Sequence, residues 1–172
     1  DVVSGDFYWA SKVINGNFVL VTADSTGHGV PGAIMSILNI ACLKEAVIQG
    51  ISSPDLILNE TRRLVIESLV NDGSKEGGKD GMDGSAICFD LKKMKLLSAS
   101  AFNPVWIVRG TELIELEPDR MPIGKSAHDQ VPFSLNSFDL QKGDVVYSLT
   151  DGYPDQFGGP KGKKFMSAKF KQ

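Results

Sequence analysis

An α+β domain with largely antiparallel sheets is the fold class this sequence predicts, on three observations. Two short β-rich runs open the chain, two helices with apolar faces follow, and a long series of brief apolar runs fills the remainder. Residues 5–11 and 18–23 (FVLVTA) read as a hairpin of strands, the second of them buried. Pro31 then opens a first helix, because proline suits a first-turn position whose N–H has no helical partner. Its Ile34, Ile37, Leu38, Ala41, Cys42 and Ala46 leave little polar face, which predicts a helix covered on most sides. A second helix starts at Ser53-Pro54-Asp55, a cap followed by proline and an early acid, and Ile57, Leu64, Val65 and Leu69 share one face of it. Residues 71–81 (NDGSKEGGKDG) hold four glycines and no apolar side chain, so a mobile loop is expected there. Short strands follow at 85–91, 96–101, 105–109, 112–116, 133–140 and 144–149. They are divided by Lys92-Lys93, Asn103-Pro104, Arg109-Gly110 and Lys142-Gly143, all of them turn chemistry.

The 172 residues carry no internal repeat and suit one domain, 1–172. Hydrophobic residues at 42% and charged residues at 23% place the chain among globular proteins. A net charge of −3 lacks the basic footprint of a nucleic-acid binder, so no nucleic acid is expected as a partner. The longest apolar stretch, 33–43, is interrupted by Ser36 and Asn39 and is too short to span a bilayer. No secretory signal is visible, which points to a cytoplasmic domain. Cys42 and Cys88 sit inside apolar runs without metal-ligand spacing and read as buried, reduced thiols. Arg62 and Arg63 could steer a phosphorylated partner, but a solvated helix face is the simpler reading. The lysines between 161 and 171 read as keeping a flap soluble, and Trp9 and Trp106 as core or edge packing. A chain that begins at Asp1 and stops in a lysine-rich tail reads as an excised fragment.

Gly27-His28-Gly29-Val30-Pro31-Gly32 matches the G-x-G-x-x-G dinucleotide fingerprint between a strand and a helix. That fingerprint needs a second parallel strand soon after the helix, ending in an acid. Here a second helix and the glycine-rich loop intervene, which excludes a Rossmann unit. The aspartates are more informative. Asp6 follows Ser4-Gly5 at the start of the first strand, Asp24 ends the second strand, and Asp151 follows the run 145–150 and precedes Gly152. Each stands where an apolar run ends, the setting in which hard divalent cations find carboxylate and carbonyl ligands. Taken singly, each also fits an ordinary turn, as Asp72-Gly73 does.

In combination the motifs are more specific. VSGDFYW (3–9), ADSTGHGVPGA (23–33), DGMDGSA (80–86) and LTDGYPDQFGG (149–159) occur in the order found in SpoIIE-type PPM phosphatases, the bacterial metal-dependent serine/threonine phosphatases, which the chain resembles over essentially its whole length. Asn103-Pro104, Met121-Pro122-Ile123-Gly124 and Leu140-x-x-Gly143-Asp144 fit as well.

The resemblance implies a four-layer αββα sandwich, two antiparallel sheets flanked by helices, here truncated at the C-terminus. It implies two Mn²⁺ or Mg²⁺ ions, with Asp24 bridging them, Ser25 offering its backbone carbonyl, Asp6 beside one metal and Asp151 a ligand of the other. Asp6, Asp24 and Asp151 are thus the expected catalytic residues. Two such cations, about 3.5–4 Å apart in known sites, lower the pKa of a shared water and neutralise phosphoryl oxygens during in-line attack. Gly27, Gly29 and Gly152 would shape the backbone around the ions, and His28 would orient the turn or a nearby water. Asp83 is either a ligand of a third, loosely held ion or a turn carboxylate. Movement of the two helices under an upstream sensor module is the implied control, and a phosphorylated STAS-domain anti-anti-sigma factor the implied substrate. Any membrane contact would come only through a missing upstream region.

Two departures stand out. Ala101-Phe102 occupies a slot that often reads Gly-His, and the further metal-binding aspartate of an Asp-Asp-Ile-Thr type strand is not reached before Gln172. The expected activity is hydrolysis of phosphoserine and phosphothreonine in a protein. A catalytically silent interaction domain and a phosphatase for small phosphoesters are the alternatives.

Overall fold

The computed structural model describes residues 3–12, 17–70, 80–158 and 162–164. Strand β1 (Asp6–Ala10) pairs antiparallel with β2 (Asn17–Ser25), the hairpin expected from the first two runs. Helices α1 (Gly29–Ile48) and α2 (Pro54–Val70) follow. Next, β3 (Gly81–Asp90) returns alongside β2, and β4 (Lys95–Ala101) alongside β3. Strands β5 (Val105–Arg109) and β6 (Glu112–Leu116) start a second sheet, completed by β9 (Val145–Ser148) in the order β6-β5-β9. The two-residue β7 (Ile123–Gly124) pairs with the start of β3, and β8 (Asn136–Asp139) closes the first sheet as β1-β2-β3-β4-β8. A small hairpin of β10 (Phe157–Gly158) and β11 (Lys163–Lys164) ends the described chain.

Alternation along β2 and β3 sorts the core into two halves. Val19, Val21, Ala23, Ala86 and Cys88 face the helices and pack with Leu43 of α1 and Ile57 and Leu58 of α2. On the other face Ile87 and Leu96 meet Val105 of the second sheet, with Phe89, Leu116, Phe138 and Val146 around them. Helices, large sheet and small sheet thereby stack as three successive layers of the αββα sandwich. Leu43, Ile57, Leu58 and Ile87 are fully buried, and each contributes about 1.5–3 kcal/mol through removal from water. Cys42 and Cys88 are free and buried, and burial pushes the Cys88 thiol up to about 12.

Several expectations need correction. α1 begins at Gly29, so Pro31 is its third residue, still within the first turn where its missing N–H costs nothing. Nor is α1 covered on most sides, since Val30, Ile34 and Ile37 are at least 60% exposed and form one stripe. The helix seats only its Gly32, Asn39, Cys42, Leu43 and Ala46 side against the domain. With 20 residues it is, among the described residues, the one helix long and apolar enough to cross a membrane, although that buried side is part of the domain core.

Arg62 is not on a solvated face. It is buried, donating to the Val131 carbonyl (2.6 Å) and Asn59 Oδ1 (3.0 Å), with its guanidinium 4.7 Å from the centre of the Phe133 ring. Arg63 is exposed and paired with Glu60 and Glu67, as expected. The strand foreseen over 133–140 shrinks to β8, because the Phe133 and Ser134 amides donate to the side chains of Asn59 and Asp119 instead of to a neighbouring strand. Gly81, expected in the loop, is a buried residue of β3, and its Cβ-less backbone lies against Ile123 and Gly124. Residues 71–79 of that loop, Lys161 and the lysines beyond Lys164 lie outside the described residues.

Candidate metal centre

The centre starts from a turn. β2 ends at Ser25, and the chain reverses through Thr26, Gly27 and His28 into α1. Gly27 (φ +97°) and Gly29 (φ +65°) occupy the left-handed region that side chains disfavour. The first turn of α1 presses on Gly27 so closely that a Cβ at Gly32 would stand 2.6 Å from the Gly27 carbonyl oxygen. Residues just before β1 strap the turn down. The Ser25 amide donates to the Gly5 carbonyl (3.0 Å) and the Gly29 amide to the Val3 carbonyl (2.7 Å). His28 caps α1 in an extended backbone conformation, exposed and without a side-chain capping bond.

Strand register then lines up the carboxylates. Asp6 is the cross-strand partner of Asp24, and Asp24 of Asp83. Alternation puts Asp24 and Asp83 on the same face as Thr22 and Ser85, toward the second sheet. From that sheet comes Asp151, in the turn after β9. Hydroxyls fasten β9 in place. Ser148 Oγ lies 2.7 Å from Ser85 Oγ and hydrogen-bonds Thr22 Oγ1 as well. The outcome is that ligand oxygens of Asp6, Asp24 and Asp151 all lie within 4.8 Å of one another. Two glycines admit this approach. A Cβ at Gly5 would collide with the Ser25 carbonyl oxygen and stand 2.7 Å from Asp24 Oδ1, and one at Gly152 would stand 3.1 Å from Asp6 Oδ2. Ser4 Oγ donates to Asp6 Oδ2 (3.1 Å).

Electrostatics confirm the crowding. Burial, then repulsion from Asp6, Asp151 and Asp83, pushes Asp24 up to about 6. Burial raises Asp151 too, followed by Asp155 and Asp6, with Lys164 offsetting part of the effect. Asp83 is raised by burial and then by Asp151. A group of facing carboxylates is a hard, all-oxygen donor set, which fits Mg²⁺ or Mn²⁺ and not the softer metals that prefer nitrogen or sulfur.

Sequence reasoning therefore named the converging residues Asp6, Asp24 and Asp151, and Ser25, Gly27, Gly29 and Gly152 flank them. Asp83 adjoins Asp24 laterally but lies outside the three-carboxylate group. Reasoning from sequence missed Gly5, the hydroxyls of Thr22, Ser85 and Ser148, and two residues of α1 that reach the turn. Ser36 Oγ donates to the Gly5 carbonyl (3.0 Å), and Asn39 Nδ2 to Ser25 Oγ (2.9 Å). Both were visible as the only polar interruptions of the apolar stretch 33–43. Phe102 takes φ +60° just past the end of β4, whose last residue, Ala101, pairs with the Gly84 that follows Asp83. For an aromatic residue that conformation is strained, on the order of 1–2 kcal/mol.

A cleft of about 300 Å³ opens beside Asp6, lined by Tyr8, Thr22, Ser148, Thr150 and Tyr153. A larger one of about 540 Å³ lies at the opposite end of β2 and β3, against Phe18, Val47, Ile51 and Cys88, away from the aspartates.

No curated protein matches the sequence. Among solved structures, the SiaA PP2C domain of Pseudomonas aeruginosa is 30% identical with a TM-score of 0.85, over 98% of this chain and 64% of that one. The PP2C phosphatase domain of SpoIIE from Bacillus subtilis, with a fragment of its regulatory domain, is 19% identical with a TM-score of 0.76, over 98% of this chain and 47% of that one. The RsbU and RsbW domains of a Mycobacterium tuberculosis protein match at 22% identity and a TM-score of 0.71, over 93% and 46%. The chain thus spans less than two thirds of each of these structures. A family model described as Stage II sporulation protein E (SpoIIE) covers residues 14–171. With that match over nearly the whole sequence, and the PP2C fold around its aspartates, the chain belongs to the SpoIIE family.

Proposed function

We propose that this chain is the phosphatase module of a bacterial signalling protein and hydrolyses phosphoserine and phosphothreonine in a protein substrate. The observation that carries the reading is the convergence of Asp6, Asp24 and Asp151 from two sheets to within 4.8 Å. Asp24, Asp6, Asp151 and the Ser25 carbonyl would hold two Mn²⁺ or Mg²⁺ ions. Bound there, the ions would activate water and neutralise the phosphoryl oxygens. The chain's own work is to bring the carboxylates together and to fix their backbone through Gly5, Gly27 and Gly152. The Asp6–Tyr8–Tyr153 cleft receives the phosphorylated segment. A phosphorylated STAS-domain protein in the cytoplasm is the proposed substrate, and an upstream sensor in the full-length protein the proposed controller.

The test is release of phosphate from a phosphoserine peptide, a phosphorylated STAS protein and a free nucleotide, with and without Mn²⁺. Manganese-dependent turnover of the protein substrate is expected. Preference for the nucleotide would make the domain a small-phosphoester phosphatase, and a folded, metal-loaded protein without turnover would make it an interaction domain.

A further inference from the structure

Asn39 is the only polar side chain that α1 buries completely. Its Nδ2 donates twice, to Ser25 Oγ (2.9 Å) and to the Gly81 carbonyl (3.1 Å). Its Oδ1 is buried without a hydrogen-bond partner. A stranded acceptor is unfavourable, and a leucine of similar volume would fill the same space without it. The side chain's contribution therefore comes from its two donors, one to Ser25 at the end of β2 and one to Gly81 at the start of β3, which is itself bonded to Thr26 of the turn. Ser25 follows Asp24 directly. The Gly81 carbonyl also accepts from the Thr26 amide (3.0 Å), and Thr26 Oγ1 accepts from the Gly81 amide (3.1 Å). One helical turn earlier, Ser36 grips the Gly5 carbonyl, which accepts the Ser25 amide as well. The end of β2 is thus pinned from the helix side by Asn39 while its carboxylate faces the opposite way.

We propose that Asn39 is a positioning residue for the metal-binding turn, orienting the Ser25 carbonyl beside Asp24 through the Ser25 hydroxyl and the Gly81 carbonyl. The inference rests on the two-metal reading above. The contact depends on the serine side chain, because a glycine at position 25 would offer no hydroxyl to Asn39.

Asn39→Leu, Ser25→Ala and the double variant, made in the full chain, test it by two readouts that need no turnover. The first is Mn²⁺ affinity by calorimetry. Each single variant should bind roughly five- to tenfold more weakly, the scale of one buried hydrogen bond. The double variant should be no weaker than Asn39→Leu alone, because both remove the same contact. The second is hydrogen exchange of the metal-free protein, in which Asn39→Leu should speed exchange at Thr26. A lower melting temperature with unchanged Mn²⁺ affinity, or losses that simply add, would overturn the proposal. Should Asn39→Leu not fold, Ser25→Ala decides alone, since it leaves the helix core untouched, and unchanged affinity in it is equally fatal. Wild-type protein that binds Mn²⁺ no better than Asp24→Asn would instead remove the two-metal reading, and this inference with it.

Discussion

Asp6 and Asp24 stand directly opposite one another on adjacent antiparallel strands, and Asp83 occupies the next position across the sheet from Asp24. Like charges in facing positions destabilise a sheet, and Asp151 adds a fourth from the neighbouring sheet. A proton or a cation among these carboxylates relieves that repulsion, and the pKa of Asp24 is raised by burial first and by its carboxylate neighbours next.

Asp24→Asn should therefore abolish measurable Mn²⁺-dependent turnover while leaving the fold intact. Metal-free, the variant should gain about 1 kcal/mol, a figure discounted for the partial exposure of Asp24. In a domain of this size that gain raises Tm by about 2–4 °C. Phosphatase assay and thermal unfolding in chelator check both halves, and near-wild-type rates would show the ligand assignment to be wrong.

The pH dependence follows with a definite sign. Asp24 binds its proton more tightly in the folded state, at about 6 against an ordinary 3.8. Its contribution to metal-free stability is therefore present at acid pH and is lost as pH rises from about 4 to about 6. Asp151 and Asp83, also raised, act in the same direction. Mn²⁺ competes with these protons, so its affinity should climb over the same window. Urea titrations from pH 4 to 7, taken as wild type minus Asp24→Asn, isolate the effect, and a flat difference would refute it.

Gly5→Ala tests the closeness of the strap. The added methyl would overlap the Ser25 carbonyl oxygen, so β1 and the turn must separate. A loss of about 1–3 kcal/mol in stability is expected, together with weaker Mn²⁺ binding by calorimetry. Wild-type behaviour in both would mean that the strap is free to shift.

Neighbouring arginines on α2 should respond very differently. Arg62→Ala removes charged hydrogen bonds to Val131 and Asn59 from the interior and should cost about 2–3 kcal/mol. Arg63→Ala removes only exposed pairs with Glu60 and Glu67 and should stay within about 0.5 kcal/mol. Denaturant unfolding of the two variants measures the contrast.

Much of this was legible in the sequence, and the exceptions have physical causes. Strand and helix periods located β1 to β6, α1 and α2, because each element buries one face and the pattern records it. Ordered motifs located Asp6, Asp24 and Asp151. Burial of Arg62 was hidden because its partners, Val131 and Phe133, lie about seventy positions away and only the fold brings them over α2. The exposed stripe of Val30, Ile34 and Ile37 was hidden for the converse reason, since apolar character does not say whether anything lies against it. Asn39 and Ser36 were readable as anomalies in an apolar helix, but nothing in the sequence says which carbonyl or hydroxyl a buried donor meets.

The hydroxyls of Thr22, Ser85 and Ser148 join β9 to the large sheet one short step before Asp151. Since the carboxylates come from both sheets, the site is a joint as much as a pocket, and a cation held there would rivet one half of the sandwich to the other. Cohesion of the domain would then be coupled to the supply of divalent ions, rising with the logarithm of their concentration above the dissociation constant. Ion depletion should loosen the small sheet before the helices feel it, and Ser148→Ala should do the same at constant ion.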